Sequence, residues 1–387
     1  MDNSAGTTSQ AESAIRCHWL RHGREAIDAM LEAIGRAQHS VRLEMFIFHA
    51  DPTGDAFREA LLAAQRRGVR VRVMCDAFGS FSLPTSYWND LVAAGGEFRW
   101  FNPLHIQRIV YRDHRKILVV DDELAFIGGL NIGVDYSGDG VTSGWRDLGL
   151  RIEGALARQL ADAFNELFVR ADFRHRRFQR IRRTRADEVV AGRDWKLLLT
   201  SPGRGHRALR QSLAHDFEDA RSIRIVSAYF LPGLRLLRAL KRAARRGAQV
   251  QLILAGKTDV PLMRIATRSL YPALLRAGVE IYEYKPQVLH AKMVIVDDVV
   301  YAGSANLDAR SLGINYEVVA RLPNARLAAD AREIFADDLR HCRRIDRKLL
   351  RRAQTIWEKF VLRWAMFLFA RLDPYLARRQ RRRLLKS

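Results

Sequence analysis

The chain has 387 residues, 65 of them Lys or Arg against 43 Asp or Glu, for a formal net charge of +22. With 48% hydrophobic and 28% charged residues it is too apolar for an intrinsically disordered chain and too polar for a multi-span membrane protein. Its length suits two or three domains of roughly 100–200 residues, and so strong a cationic field points to a phosphate-rich partner, either nucleic acid or an anionic membrane.

Residues 1–14 are polar, have no apolar core of a signal peptide and read as a disordered leader. Cys17, Cys75 and Cys342 are odd in number and in no CxxC spacing, so they suggest neither a disulfide framework nor a zinc site, and a reducing compartment fits best. From there the chain repeats itself. SVRLEMFIF (Ser40 to Phe48) matches SIRIVSAYF (Ser222 to Phe230), and Arg66-Arg67-Gly68 matches Arg245-Arg246-Gly247. LVAAGGEFRWFNP (Leu91 to Pro103) matches LLRAGVEIYEYKP (Leu274 to Pro286), and HRKILVVDD (His114 to Asp122) matches HAKMVIVDD (His290 to Asp298). Four blocks in the same order at nearly constant offset mark one unit duplicated within the chain.

Each copy runs as an apolar, β-branched strand, a helix ending at a glycine (Gly68, Gly247), and another apolar strand. Strands alternating with helices predict an α/β fold of two similar lobes, each a mixed, mostly parallel sheet flanked by helices. The expected boundaries are a first lobe over 15–169, a basic linker over 170–190, a second lobe over 191–338 and a tail over 339–387. The linker holds eight Arg and one Asp between Arg170 and Arg185 and reads as a solvated face.

The sharpest motif is His-x-Lys-x-x-x-x-Asp, present as His114, Lys116 and Asp121 and again as His290, Lys292 and Asp297. On a strand, residues i and i+2 share a face, so each His and Lys project together while the Asp falls at the strand end. Small-residue turns follow, Gly128-Gly129-Leu130-Asn131 and Gly303-Ser304-Ala305-Asn306, where a ligand can approach closely and the Asn amide can donate. The pairs Asp121-Asp122 and Asp297-Asp298 read as turn formers beside Lys, not as metal ligands. Glu44, whose repeat equivalent is Val226, reads either as site-lining or as strand-end polar.

This duplicated constellation resembles the phospholipase D superfamily from about Trp19 to Ala336. Within it the chain is most similar to bacterial cardiolipin synthases of that type, in the short class without N-terminal spanning helices. The stretches that carry the likeness are LEMFIFHADPTG, RRGVRVRVMCDAFGS, HRKILVVDDELAFIGGLNIGVDY, WRDLGLRIEG and HAKMVIVDDVVYAGSANLDARSLGINYE. The resemblance implies one active site at the interface of the two lobes. It implies catalysis by His114, Lys116, Asp121, His290, Lys292 and Asp297, with Asn131, Ser304 and Asn306 binding phosphate and Asp147 and Glu317 orienting the histidines. It also implies transfer of a phosphatidyl group from one phosphatidylglycerol to another through a phosphohistidine, with no metal and no cofactor; the alternative is hydrolysis of a phospholipid or nucleic acid.

The last 48 residues, Arg340 to Ser387, hold 16 Lys and Arg against three acids. Within them FVLRWAMFLFA (Phe360 to Ala370) is too short to span a bilayer and reads as an interfacial amphipathic helix beside a polybasic end. That pairing predicts a peripheral protein on the cytoplasmic side of an anionic bacterial membrane, worth about 1 kcal/mol per basic residue near the surface. Nucleic acid is not expected as a partner.

Overall fold

The computed structural model describes residues 15–103, 111–171, 189–202 and 207–346. The expected leader, nearly all of the basic linker and the tail from residue 347 onward lie outside these residues. The first lobe runs β1 (Arg16–Leu20), α1 (Gly23–Arg36), β2 (Ser40–Met45), α2 (Pro52–Arg66), β3 (Arg70–Asp76), α3 (Asn89–Ala93), β4 (Glu97–Phe101), β5 (Ile117–Val120), β6 (Leu124–Gly128), β7 (Gly149–Glu153) and α4 (Ala155–Phe168). The second runs β8 (Val189–Ala191), β9 (Lys196–Thr200), α5 (Arg207–Asp216), β10 (Ser222–Ser227), α6 (Leu234–Arg245), β11 (Gln249–Lys257), α7 (Pro261–Arg268), α8 (Tyr271–Arg276), β12 (Glu280–Val288), β13 (Lys292–Val296), β14 (Val299–Gly303), β15 (Glu317–Pro323), α9 (Ala325–Arg340) and β16 (Cys342–Ile345).

The duplication read from sequence is a duplication of topology. Strand order in the first sheet is β1-β7-β6-β5-β2-β3-β4, and the second repeats it as β9-β15-β14-β13-β10-β11-β12, adding β8 at one edge and β16 at the other. Both sheets are mixed, but parallel pairing is confined to β2-β3-β4 and β10-β11-β12, where helical crossovers join the strands. All other pairs are antiparallel, which corrects the expectation of mostly parallel sheets. The reason is local: Asp121 and Asp122 take positive φ of 54° and 60°, and the chain reverses in a tight hairpin from β5 into β6. A reversal of three residues, Asp121 to Glu123, can join only antiparallel neighbours.

Helix α2 shows how the strand–helix units form. Asp51 accepts from the backbone N–H of Thr53 and Gly54, Pro52 opens the first turn, and Gly68 follows the last turn with φ 92°. Gly247 does the same after α6 at φ 98°. The strands these helices cover are buried along their length, as in β2 and β5. Each lobe has its own apolar layer, and a third layer joins them: Ile117, Val119, Ile127 and Leu150 of the first sheet pack in one cluster with Met293, Ile295, Val300 and Val318 of the second. Helices α4 and α9 contribute to that shared layer, and the indole of Trp19 donates to the carbonyl of Leu327 across it. All three cysteines are free thiols.

Arg146 closes the junction. Its guanidinium makes a buried two-point pair with Asp338 of α9, at 2.6 and 3.1 Å. It also donates to the carbonyls of Arg21 and Asp147. The pair therefore sits beside a residue of the candidate site.

Candidate active site

Both His-x-Lys segments lie where the two sheets meet, each held by a short backbone ladder to the opposite lobe. His114 N–H donates to the carbonyl of Tyr316 at 2.9 Å, and Tyr316 N–H donates to the carbonyl of Arg112. In the mirror arrangement, Arg146 N–H donates to the carbonyl of Val288, and His290 N–H donates back to the carbonyl of Arg146, both at 2.8 Å. Each ladder carries a carboxylate across. Glu317, next after Tyr316, places Oε2 3.0 Å from Nδ1 of His114. Asp147, next after Arg146, places Oδ2 2.6 Å from Nδ1 of His290. The histidine of one lobe is thus oriented by the acid of the other. With Nδ1 engaged, Nε2 is the nitrogen left to react.

The lysines complete a cationic pocket. Lys116 Nζ donates to the carbonyl of His114 at 2.8 Å, and Lys292 Nζ donates to the carbonyl of His290 and lies 3.1 Å from its Nδ1. Both are almost fully buried, as are Asn131 and Asn306. Asn131 uses Oδ1 to accept from Ile47 N–H, which leaves its amide NH2 as the donor end. Rings wall each histidine: Phe46 is 4.8 Å from His114, and Tyr136 and Trp145 are 5.4 and 5.5 Å from His290.

Burial of so many like charges sets the protonation states. Desolvation, then Lys116 and Lys292, push His114 well below the usual imidazole range. His290 is lowered by burial and Lys292, against the pull of Asp147. Burial brings Lys116 down to about 7 and lowers Lys292 as well. The two orienting acids differ. Burial pushes Glu317 up to about 7 despite Lys116. Asp147 feels the same burial, but Lys292 and His290 outweigh it and hold its carboxyl below the ordinary value.

The difference has a structural companion. Ser304 donates its hydroxyl to Glu317 Oε2 at 2.6 Å, while Glu317 Oε1 accepts from Asn315. The repeat equivalent of Ser304 is Gly129, and a Cβ there would meet Oδ1 of Asp147 at 2.1 Å. Ser304, expected to bind phosphate, therefore spends its hydroxyl on the orienting acid. Only glycine fits beside the shorter Asp147.

Asp121 and Asp297 are not at the site. Five residues of strand carry each of them about 16 Å from its lysine. Asp121 accepts from the backbone N–H groups of Gln38, His39 and Ser40, and Asp297 from those of Arg221 and Ser222. They anchor the starts of β2 and β10 at the far end of the sheets, which corrects the expectation that they act in catalysis.

A second layer lies behind His114, of which the sequence alone marks only Glu44. Glu44 is fully buried, 3.9 Å from the guanidinium of Arg115 and beside Asp113. Burial raises the proton affinity of both carboxyls. Asp76 accepts from Asp113 N–H at 2.8 Å and fixes that segment. The repeat equivalents of Glu44, Asp113 and Arg115 are Val226, Leu289 and Ala291. An acid and an arginine on strands whose copies are apolar was the available signal.

Paired imidazoles, each with a carboxylate on Nδ1 and a lysine beside it, have the chemistry to act as nucleophile and as proton donor beside an anionic group. A family model described as "Cardiolipin synthase, PLD-like domain" matches residues 30–168 and 214–339, and the chain belongs to that family. Cardiolipin synthase B of Escherichia coli K12 is 34% identical over 356 residues, covering 87% of this chain and 85% of that protein. A cardiolipin synthase of Geobacillus kaustophilus is 34% identical over 341 residues, covering 84% and 66%. Among solved structures, the phosphatidylserine synthase of Haemophilus influenzae shares the fold with a TM-score of 0.70 at 16% identity, covering 95% of this chain and 98% of that one. Family and site together make the chain an enzyme of the phosphatidyltransferase class.

The raised carboxyl of Glu317 has a consequence for stability. An acid whose proton affinity is higher folded than unfolded stabilises the fold at low pH. That contribution is lost as pH rises from the ordinary glutamate value through about 7. Denaturant titrations of the parent and Glu317→Gln between pH 5 and pH 8 are expected to show the parent losing stability relative to the variant. Parallel curves would remove the buried acid from the account.

Proposed function

We propose that the chain transfers a phosphatidyl group from one phosphatidylglycerol to another and releases glycerol, through a phosphohistidine. The observation that carries this reading is the crossed pairing of His114 with Glu317 and of His290 with Asp147, which brings two imidazoles and two lysines into one pocket. Nε2 of one imidazole attacks phosphorus, and the bond to the glycerol oxygen breaks as the other imidazolium protonates it. That second imidazole then takes the proton from a hydroxyl of the incoming phosphatidylglycerol. Its oxygen attacks phosphorus, the P–N bond breaks and cardiolipin leaves. One phosphodiester replaces another, so no nucleotide is needed.

Burial and the two nearby lysines disfavour a proton on either histidine. A phosphodiester anion entering beside Lys116 and Lys292 reverses that bias, because it favours a proton on the neighbouring imidazole. The amides of Asn131 and Asn306 and the two ammonium groups then serve the equatorial oxygens as charge shifts in the transition state. Water is the competing acceptor, and burial of the histidines limits its access.

The substrate reaches the site from an anionic bilayer on which the protein sits peripherally, on the cytoplasmic side. Among the described residues no helix is long and apolar enough to cross a membrane. The Trp/Phe segment and polybasic end after Trp357, outside the described residues, supply the two signals that stable anchoring requires. Truncation after Trp357 is expected to abolish co-flotation with vesicles containing phosphatidylglycerol; full retention of binding would remove the tail from the account.

Incubation of the purified full chain with phosphatidylglycerol vesicles is expected to yield cardiolipin and free glycerol in equal amounts. His114→Ala and His290→Ala should each lower that rate by at least about 1,000-fold, since each removes a whole chemical role. Phosphatidic acid in place of cardiolipin would show that water is the acceptor and contradict the transferase reading.

A further inference from the structure

The two halves of the pocket mouth differ in a way that the shared chemistry does not require. In the second lobe, Ser227 of β10 lies opposite Lys292 of β13. The Ser227 hydroxyl donates to the carbonyl of Tyr229 at 2.9 Å and so fixes Tyr229 just past the end of β10. Strand β11 runs parallel to β10, and just past its end stands Asp259. The Tyr229 hydroxyl donates to the carboxylate of Asp259 at 2.6 Å, and the Thr258 hydroxyl donates to it at 3.3 Å. At the equivalent places in the first lobe stand Ile47 and Ser80. The second lobe therefore carries a phenol bonded to an acid where the first has neither.

Asp259 has no evident task in the fold. It is exposed, and its hydrogen-bond partners among the described residues are those two hydroxyls. Helix α7 begins just after it, but its cap position is Val260 and makes no side-chain cap bond. The carboxylate is near enough to raise the proton affinity of both His290 and Lys292. A negative charge there opposes binding of a phosphodiester anion through like-charge repulsion. Its presence calls for a ligand group that gains from it.

We propose that Asp259, held in place by Tyr229 and Thr258, is a polyol subsite whose carboxylate oxygens accept the free hydroxyls of the glycerol headgroup attacking at His290's side of the pocket. The proposal rests on the phosphatidylglycerol reading above. Hydroxyls donating to a carboxylate make charge-assisted bonds, about twice as strong as neutral ones. A site built to satisfy such hydroxyls discriminates against an alcohol that lacks them. The first lobe has no carboxylate at the equivalent place, where Ser80 stands.

The test is an acceptor competition. The full chain is given phosphatidylglycerol in mixed micelles with equal concentrations of deuterated glycerol and 1-propanol, and labelled phosphatidylglycerol and phosphatidylpropanol are resolved by mass spectrometry. The parent is expected to favour glycerol, and Asp259→Ala to lower the glycerol-to-propanol product ratio by about tenfold, the loss of one charged hydrogen-bonding partner. Asp259→Asn, which keeps one acceptor oxygen, should fall between them. The ratio is internal to each reaction, so it does not move with the amount of folded enzyme. An unchanged ratio in Asp259→Ala overturns the subsite while leaving the transferase reading standing. A parent that forms neither product overturns that reading and the subsite with it.

Discussion

The structure depends on an exchange of carboxylates between two copies of one fold. Glu317 reaches from the second lobe to His114, and Asp147 from the first to His290. Each histidine takes its carboxylate from the other half, so a single copy has the ring but not the acid on its Nδ1. The backbone bridges that deliver these acids run through Tyr316 and Arg146. Arg146 is also clamped to Asp338 of α9, and the apolar layer between the sheets holds the halves in register. Site geometry and lobe packing are the same problem here. Removing one partner of a buried pair such as Arg146 and Asp338 typically costs 3–5 kcal/mol, and in this fold it would disturb the backbone that places Asp147.

The copies have diverged in chemistry while keeping topology. Glu317 is served by the Ser304 hydroxyl and holds its proton up to about 7, whereas Asp147 sits against Gly129 and stays below its ordinary value. Behind His114 lies the buried set of Glu44, Asp113 and Arg115; its counterparts behind His290 are apolar. In the proposed mechanism one histidine attacks and the other moves protons, and such a division is better served by unequal surroundings than by equal ones. Asp259, where the first lobe has Ser80, extends the same divergence.

Much of this was legible in the chain. Strands covered on both faces appear as unbroken apolar runs such as ILVV and MVIV, and the glycines after α2 and α6 mark helix ends because they adopt positive φ. The His-x-Lys spacing brought its two side chains together as a strand predicts. Asp121 and Asp297 misled because spacing along a strand does not say which end faces the ligand. The sheets are less parallel than expected because a short acidic turn in each lobe makes β5–β6 and β13–β14 antiparallel hairpins. The crossed pairing of acids and histidines joins residues 203 and 143 positions apart, and no local pattern encodes such a contact. Asp113 lies before the His-x-Lys motif and Arg115 at its unspecified position, so the spacing carries no signal for either.

The central claim is that two lobes make one site. Rapid quenching of the full chain during turnover of phosphatidylglycerol, followed by mass spectrometry of its histidine peptides under alkaline conditions, tests it most directly. The account predicts at most one phosphatidyl group per chain, on either His114 or His290 and never on both together. Two groups per chain, or a modified histidine in a separately expressed single lobe, would contradict it.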